Sequence, residues 1–247
     1  MVERISVWRA IESVFCGLTL AVFTPSRIGE YGGRVFFLSP RRRIVGVVAM
    51  VVGNISQMGV TNVFGAIALM VFVYRFVEID AWLWYLLMGA CVIFCLFFII
   101  FYFHVRWIKW LLMSIRFTRK YEKFYSVIGR YSQAELWKIL LISLSRYIIF
   151  SSQYFILLSW LIPALHFVDV CMMLCILFFV QSTLPSLNIF DIGVRALTAT
   201  FFFGYITEQN VAVIASTACV WLVNIIIPAI LGSYFVFKLN FFGNSTS

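Results

Sequence analysis

From Ala81 to Phe103 the chain runs for 23 residues without one charged side chain. A helix of that length crosses the hydrocarbon core of a bilayer, about 30 Å thick. Inside hydrocarbon each backbone N–H and C=O has to be satisfied within the protein, and a helix does this within the segment itself. Ile139 to Ile162 meets the same length requirement, and Ile44 to Val73 and Val211 to Phe237 run past it. These four segments are expected to cross. Composition agrees: the 247 residues are 63% hydrophobic and 12% charged, with a mean hydropathy of +1.00, where a soluble domain is nearer half apolar and a quarter charged. The expected fold class is all-α, a polytopic integral membrane helical bundle forming a single membrane domain over residues 1–247.

The formal charge of +9 does not point to nucleic acid, because the basic residues flank apolar segments instead of forming a patch on a soluble surface. Eight of the 19 Lys and Arg fall between Arg106 and Lys138, beside only Glu122 and Glu135. By the positive-inside rule this loop is cytoplasmic, as is the Arg41–Arg43 run, which sends Ile44–Val73 outward and leaves Tyr74–Asp80 outside. Within the loop, "HVRWIKWLLMSIRF" gathers Trp107, Trp110, Leu111 and Ile115 on one helical face and Arg106, Lys109, Arg116 and Arg119 toward another, the pattern of an interfacial amphipathic helix. The alternative is a solvated connector that only sets topology. The tail, with its Asn244 sequon, comes out cytoplasmic if Val211–Phe237 runs inward.

The six cysteines, Cys16, Cys91, Cys95, Cys171, Cys175 and Cys219, all lie inside apolar runs without a histidine at ligand spacing, and read as small packing residues. No metal site and no cofactor is expected. Nucleotide loops, zinc signatures, nucleophile elbows and paired-carboxylate spacings are missing from the sequence. Glu3, Arg4, Arg9 and Glu12 interrupt the first apolar run, so a cleavable signal peptide is not expected.

Three apolar runs are too short to cross unaided: Val14–Thr24, Val170–Leu184 and Ala196–Ile206. They adjoin two related stretches. "TPSRIGEYGGR" (Thr24–Arg34) and "LPSLNIFDIGVRA" (Leu184–Ala196) each read Pro-Ser, a short gap, then acid-x-Gly-x-Arg. Pro25 and Pro185 are the expected helix breaks, and broken or re-entrant helices are expected at both sites. The echo suggests half-repeats over about 5–103 and 139–237, joined by the basic loop 104–138.

Charged residues inside a membrane default to pairing or to a polar path, since an unpaired charge costs on the order of 3 kcal/mol there. Arg27 and Glu30, three residues apart, are placed to pair on a helical turn, which would leave Arg34 for an anion. A guanidinium fork matches phosphate oxygens, and Gly29, Gly32 and Gly33 let backbone come close. Asp191, Gly193 and Arg195 would supply the second half of such a headgroup site. Arg146, inside Ile139–Ile162, is a secondary candidate that could equally snorkel to the cytoplasmic interface. The alternative for the first stretch is an ordinary cytoplasmic turn whose arginines follow the positive-inside rule.

The stretches "LTLAVFTPSRIGEYGGRVFFL", "LPSLNIFDIGVRA" and "VWLVNIIIPAILGSYFVF" resemble the membrane region of lysylphosphatidylglycerol synthases, a flippase-like family with stand-alone members. The resemblance runs from about Trp8 to Lys238, and its most specific element is Pro-x-x-x-Gly-Glu at Pro25–Glu30. The second motif departs from the family, ending in Gly193-Val194-Arg195 where relatives carry Gly-x-x-Glu. Family members usually begin with one or two further helices, and the aminoacyl transferase domain of the bifunctional enzymes has no counterpart here. The resemblance implies a bacterial cytoplasmic membrane protein that moves a lipid or lipid-linked anion, with membrane lipids as partners; lipid aminoacylation is not carried over. Two other functions fit the residues: a membrane-embedded lipid-modifying transferase, or a non-catalytic subunit in envelope or lipid assembly. A homo-oligomer or a partner membrane protein is compatible with each.

Overall fold

The computed structural model of the protein describes residues 5–24, 28–104, 131–183 and 191–238, with Asp191 and Lys238 described by backbone alone. Among these residues the structure is helical, without strands. In chain order the helices are α1 (Val7–Phe23), α2 (Ile28–Val35), α3 (Arg43–Phe76), α4 (Ala81–Phe103), α5 (Gln133–Leu161), α6 (Phe167–Thr183), α7 (Asp191–Phe203), α8 (Asn210–Trp221) and α9 (Ile227–Lys238). A 3₁₀ turn at Pro40–Arg42 leads into α3, and a π turn at Leu222–Ile226 joins α8 to α9. Four helical stretches are long and apolar enough to cross a membrane: Pro40–Phe76, Ala81–Phe103, Gln133–Leu161 and Asn210–Phe237. They coincide with the four runs expected from sequence. The short runs also form helices, α1 and α6 of 17 residues and α7 of 13. Pro25, Arg27, Pro185, the Trp107–Ile115 segment and Asn244 lie outside the described residues.

Local chemistry fixes several ends. Ser6 caps α1 through its hydroxyl, which accepts from the Arg9 N–H. Thr24, before Pro25, is extended (φ −117°, ψ 138°) and terminates α1, as expected of a residue preceding proline. A capping box opens α5: the Ser132 hydroxyl accepts from the Glu135 N–H while the Glu135 carboxylate accepts from the Ser132 N–H at 2.9 Å. The π turn has a cause in Pro228, which cannot donate to the Asn224 carbonyl and crowds it. The Ile227 N–H reaches Leu222 O instead, and the Asn224 side chain donates to Val220 O at 3.0 Å.

The chain groups into two compact units that cut across the sequence halves 5–103 and 139–237. The first unit takes residues up to Val47, Asp191–Ile192 and the chain from Ala218 onward. Its centre is α1, packed between α2 and α9 through glycines. A Cβ on Gly33 would lie 2.7 Å from the Gly17 Cα, and one on Gly29 would run into the Leu20 carbonyl, so Gly29-x-x-x-Gly33 brings α2 against the α1 backbone. The Thr24 hydroxyl reinforces the junction, accepting from the Gly29 N–H and donating to Leu20 O, each at 2.8 Å. On the other side Gly232 lets α9 approach Phe15 and Thr19, and the buried Thr19 hydroxyl donates to Ala229 O at 2.9 Å.

The second unit comprises residues from Val48 to Thr183 and Gly193 to Thr217. Its most enclosed helix is α6, where Val170, Met173, Leu174, Ile176 and Leu177 are all essentially buried. Apolar residues surround α6 without a polar stripe, as a central helix requires. It runs antiparallel to α3: Arg75 pairs with Asp169, Gly65 meets Phe179 and the Cys175 carbonyl, and the Ser182 hydroxyl donates to Asn62 Oδ1 at 2.7 Å. Rings close the gaps to α5 and α7, with Phe64 stacked on Tyr147 at 5.5 Å and Phe72 edge-on to Phe202 at 5.4 Å.

Candidate functional site

In the first unit the motif Glu30-Tyr31-Gly32-Gly33-Arg34 lies within α2. Glu30 and Arg34 form an ion pair, at side-chain exposures of 19% and 27%. This corrects the expectation that Arg34 stands free; the expected Arg27–Glu30 pairing falls on Arg27, outside the described residues. At i,i+4 on a helix the two Cβ atoms are neighbours, with the acid on the favourable N-terminal side. Gly17 opens the space that Arg34 uses, since a Cβ there would sit 2.8 Å from the Arg34 Cγ. The Arg34 Nε is buried without an acceptor among the described residues. The three motif glycines divide: Gly29 and Gly33 carry helix packing, whereas Gly32 is exposed with open space on its Cβ side.

The later motif begins α7, with Asp191 as its first residue, and from Gly193 on it belongs to the second unit. Gly193 is exposed and open on its Cβ side. Arg195, two residues further, is half-buried, and its Nη1 donates to Gln181 Oε1 on α6 at 2.7 Å. A guanidinium can only donate, so Gln181 has to turn its oxygen to Arg195 and its NH₂ away. That Gln181 Nε2 is buried and meets no acceptor among the described residues. The Gln181 Nε2 is therefore a buried donor beside a guanidinium, an arrangement that favours an oxyanion over a cation.

The polar contacts continue through the unit. Next to Gln181, Ser182 joins α6 to Asn62 of α3. On α5 the buried Tyr154 hydroxyl donates to Thr217 of α8, and Thr217 donates to Val213 O at 2.8 Å. Polar pairs thus join α6 to α3, α7 to α6 and α5 to α8, a costly feature among apolar helices unless each member is satisfied or used. In the sequence Asn62 is a polar residue inside the Ile44–Val73 run, and Gln181-Ser182-Thr183 is a polar triplet closing an apolar run, while nothing in the sequence singles out Tyr154 or Thr217.

Arg146 is exposed, with its guanidinium 5.4 Å from the Phe150 ring centre, while Ser143, Tyr147 and Tyr154 of the same helix are buried. It belongs to the outer face of α5. Among the described residues no group of three or more His, Cys, Asp and Glu is arranged to hold a metal ion.

Comparison with known protein families, with curated proteins and with solved structures finds no match to this chain. The resemblance to the synthase membrane region therefore stands on the motif residues alone.

Proposed function

We propose that the protein moves a lipid or lipid-linked anion across the bacterial cytoplasmic membrane, as a flippase-like multi-pass protein with no chemical step. The observation that carries this reading is the buried Gln181 Nε2 donor beside the Arg195 guanidinium, on two short apolar helices of a chain that also has four helices long enough to span a bilayer. A phosphodiester passing Arg195 would accept from both groups and offset the desolvation of its charge. On this reading Arg195 is the principal headgroup contact, with Gly193 and Asp191 beside it. Breaks at Pro25 and Pro185 would give the helices re-entrant or interrupted character, as in transporters that bind substrate at discontinuous helices. The motif Arg27–Arg34 would form a second headgroup contact, in which Arg34 exchanges Glu30 for phosphate.

The test is reconstitution into phosphatidylcholine vesicles carrying fluorescent phosphatidylglycerol, with transbilayer movement read by dithionite quenching. The parent protein is expected to accelerate movement over empty vesicles, and Arg195→Ala and Gln181→Leu to slow it at least tenfold at unchanged thermal stability. A parent rate equal to that of empty vesicles, or an Arg195→Ala rate equal to the parent, overturns the reading.

A further inference from the structure

A separate feature of the second unit is a laterally open groove between α3, α4 and α5, with a volume of about 180 Å³. Its walls include Gly59 and Val63 from α3, Ile99 and Tyr102 from α4, and Leu140 and Leu144 from α5. Two hydroxyls lie nearby and neither faces the opening. Tyr102 donates to Leu136 O at 2.7 Å, leaving its ring for the wall, and the Ser56 hydroxyl is buried. Gly59 has open space where a side chain would stand, so the groove owes part of its depth to that glycine. An apolar cavity of about 150 Å³ stays dry and accepts a benzene-sized hydrocarbon. This one is slightly larger, well below the few hundred Å³ of a site for a whole small molecule.

The walls belong to three helices of membrane-spanning length, so the medium at the opening is acyl chain. The groove lies toward the C-terminal end of α4 and the N-terminal half of α5, and the sequence between these two helix ends carries a charge bias. Trp137, 53% exposed, shares the α5 face of Leu140 and Leu144 and packs on Phe103 at 4.7 Å, in the manner of an interfacial aromatic. Lys138 beside it is exposed. The sequence joining α4 to α5 holds seven Lys and Arg against Glu122 alone. The geometry points to a binding slot for one acyl chain of an anionic phospholipid, whose headgroup sits at the Trp137–Lys138 end and whose tail fills the space over Gly59. Apolar fit selects the chain, and complementary charge selects the headgroup.

This slot is distinct from the Arg195–Gln181 pair and does not require transport. The full chain is reconstituted in phosphatidylcholine nanodiscs containing trace phospholipid with a diazirine in its acyl chain, carrying either a phosphatidylserine or a phosphatidylcholine headgroup. Photoadducts are then mapped by mass spectrometry. The expected result is labelling concentrated on the Gly59–Phe64, Phe98–Phe103 and Leu140–Leu144 segments, at least fivefold stronger for the serine headgroup and suppressed by excess unlabelled phosphatidylserine. Gly59→Phe and Val63→Trp, which fill the slot, are each expected to reduce it at least fivefold without changing adducts elsewhere. Labelling that is equal for the two headgroups, spread evenly over all lipid-facing helices, or untouched by both filling variants overturns the proposal. The competition arm uses the unaltered protein, so it decides even if a variant fails to fold. Adducts report occupancy and dithionite reports movement, so the slot and the transport reading can fail independently.

Discussion

Gly17 and Gly33 meet backbone to backbone: a Cβ added to Gly33 would lie 2.7 Å from the Gly17 Cα and 2.9 Å from its nitrogen. Neither atom belongs to a flexible side chain that could move aside, so Gly33→Ala has to push α2 off α1. The expected cost is about 2 kcal/mol, as for overpacking of a close helix contact. Gly32, the preceding residue, is exposed and open, and Gly32→Ala should be neutral or gain a few tenths of a kcal/mol from helix propensity. Thermal unfolding in detergent of the two variants checks the contrast. Equal melting temperatures would show that α1 and α2 are not in contact through these glycines.

The Glu30–Arg34 pair predicts coupling. Removing either partner leaves a partly buried charge, whereas removing both leaves none. Glu30→Ala and Arg34→Ala should each lower the unfolding temperature, and the double variant should be less destabilised than the sum by about 1 kcal/mol. Strict additivity in the double-mutant cycle would mean that the carboxylate and the guanidinium do not interact.

Gln181→Glu separates stability from function. A carboxylate offers Arg195 a full countercharge and removes the buried Gln181 Nε2 donor, which meets no acceptor among the described residues. The variant should therefore be at least as stable as the parent, yet slower in moving an anionic lipid by tenfold or more, a trade of activity for stability. A variant that is destabilised, or that transports at the parent rate, would remove Gln181 from the site.

Topology is the fourth prediction. The eight basic residues between Arg106 and Lys138 predict a cytoplasmic loop, with Tyr74–Asp80 outside. In a cysteine-free background, a cysteine at Ser126 should resist membrane-impermeant maleimide in intact cells, and one at Glu78 should react. Reaction at Ser126 from the outside would invert the assignment.

The four long helices were legible because their cause is local. A segment that has to satisfy its own backbone in hydrocarbon needs about 20 apolar residues, and Ala81–Phe103 or Ile139–Ile162 can be recognised by counting. The ends were legible for the same reason: Thr24 before Pro25 and Ile162 before Pro163 stop their helices through a restriction that acts on the adjacent residue. The acid-x-Gly-x-Arg stretches were visible as charges where charges are costly.

Partner choice was not legible. Arg34 turned to Glu30, Arg195 to Gln181 fourteen residues earlier, Asn62 to Ser182 across 120 residues and Tyr154 to Thr217 across 63. In a soluble protein the apolar stripe of a helix announces its buried face. Here lipid is as apolar as the core, so α6 is apolar all round although it is enclosed, and α4 is apolar all round although only Tyr102 in it is buried. Periodicity then carries no record of which face meets protein. Gly29, Gly32 and Gly33 look alike in the sequence for the same reason. Only the rotation and approach of neighbouring helices decided that two of them are packing surfaces and one is open. The sequence alone determined that the chain forms long apolar helices, and where they stop, because those are properties of single segments. The tertiary structure decided which polar groups meet, because that depends on the relative rotation of helices, which the uniform apolarity of the chain leaves unencoded.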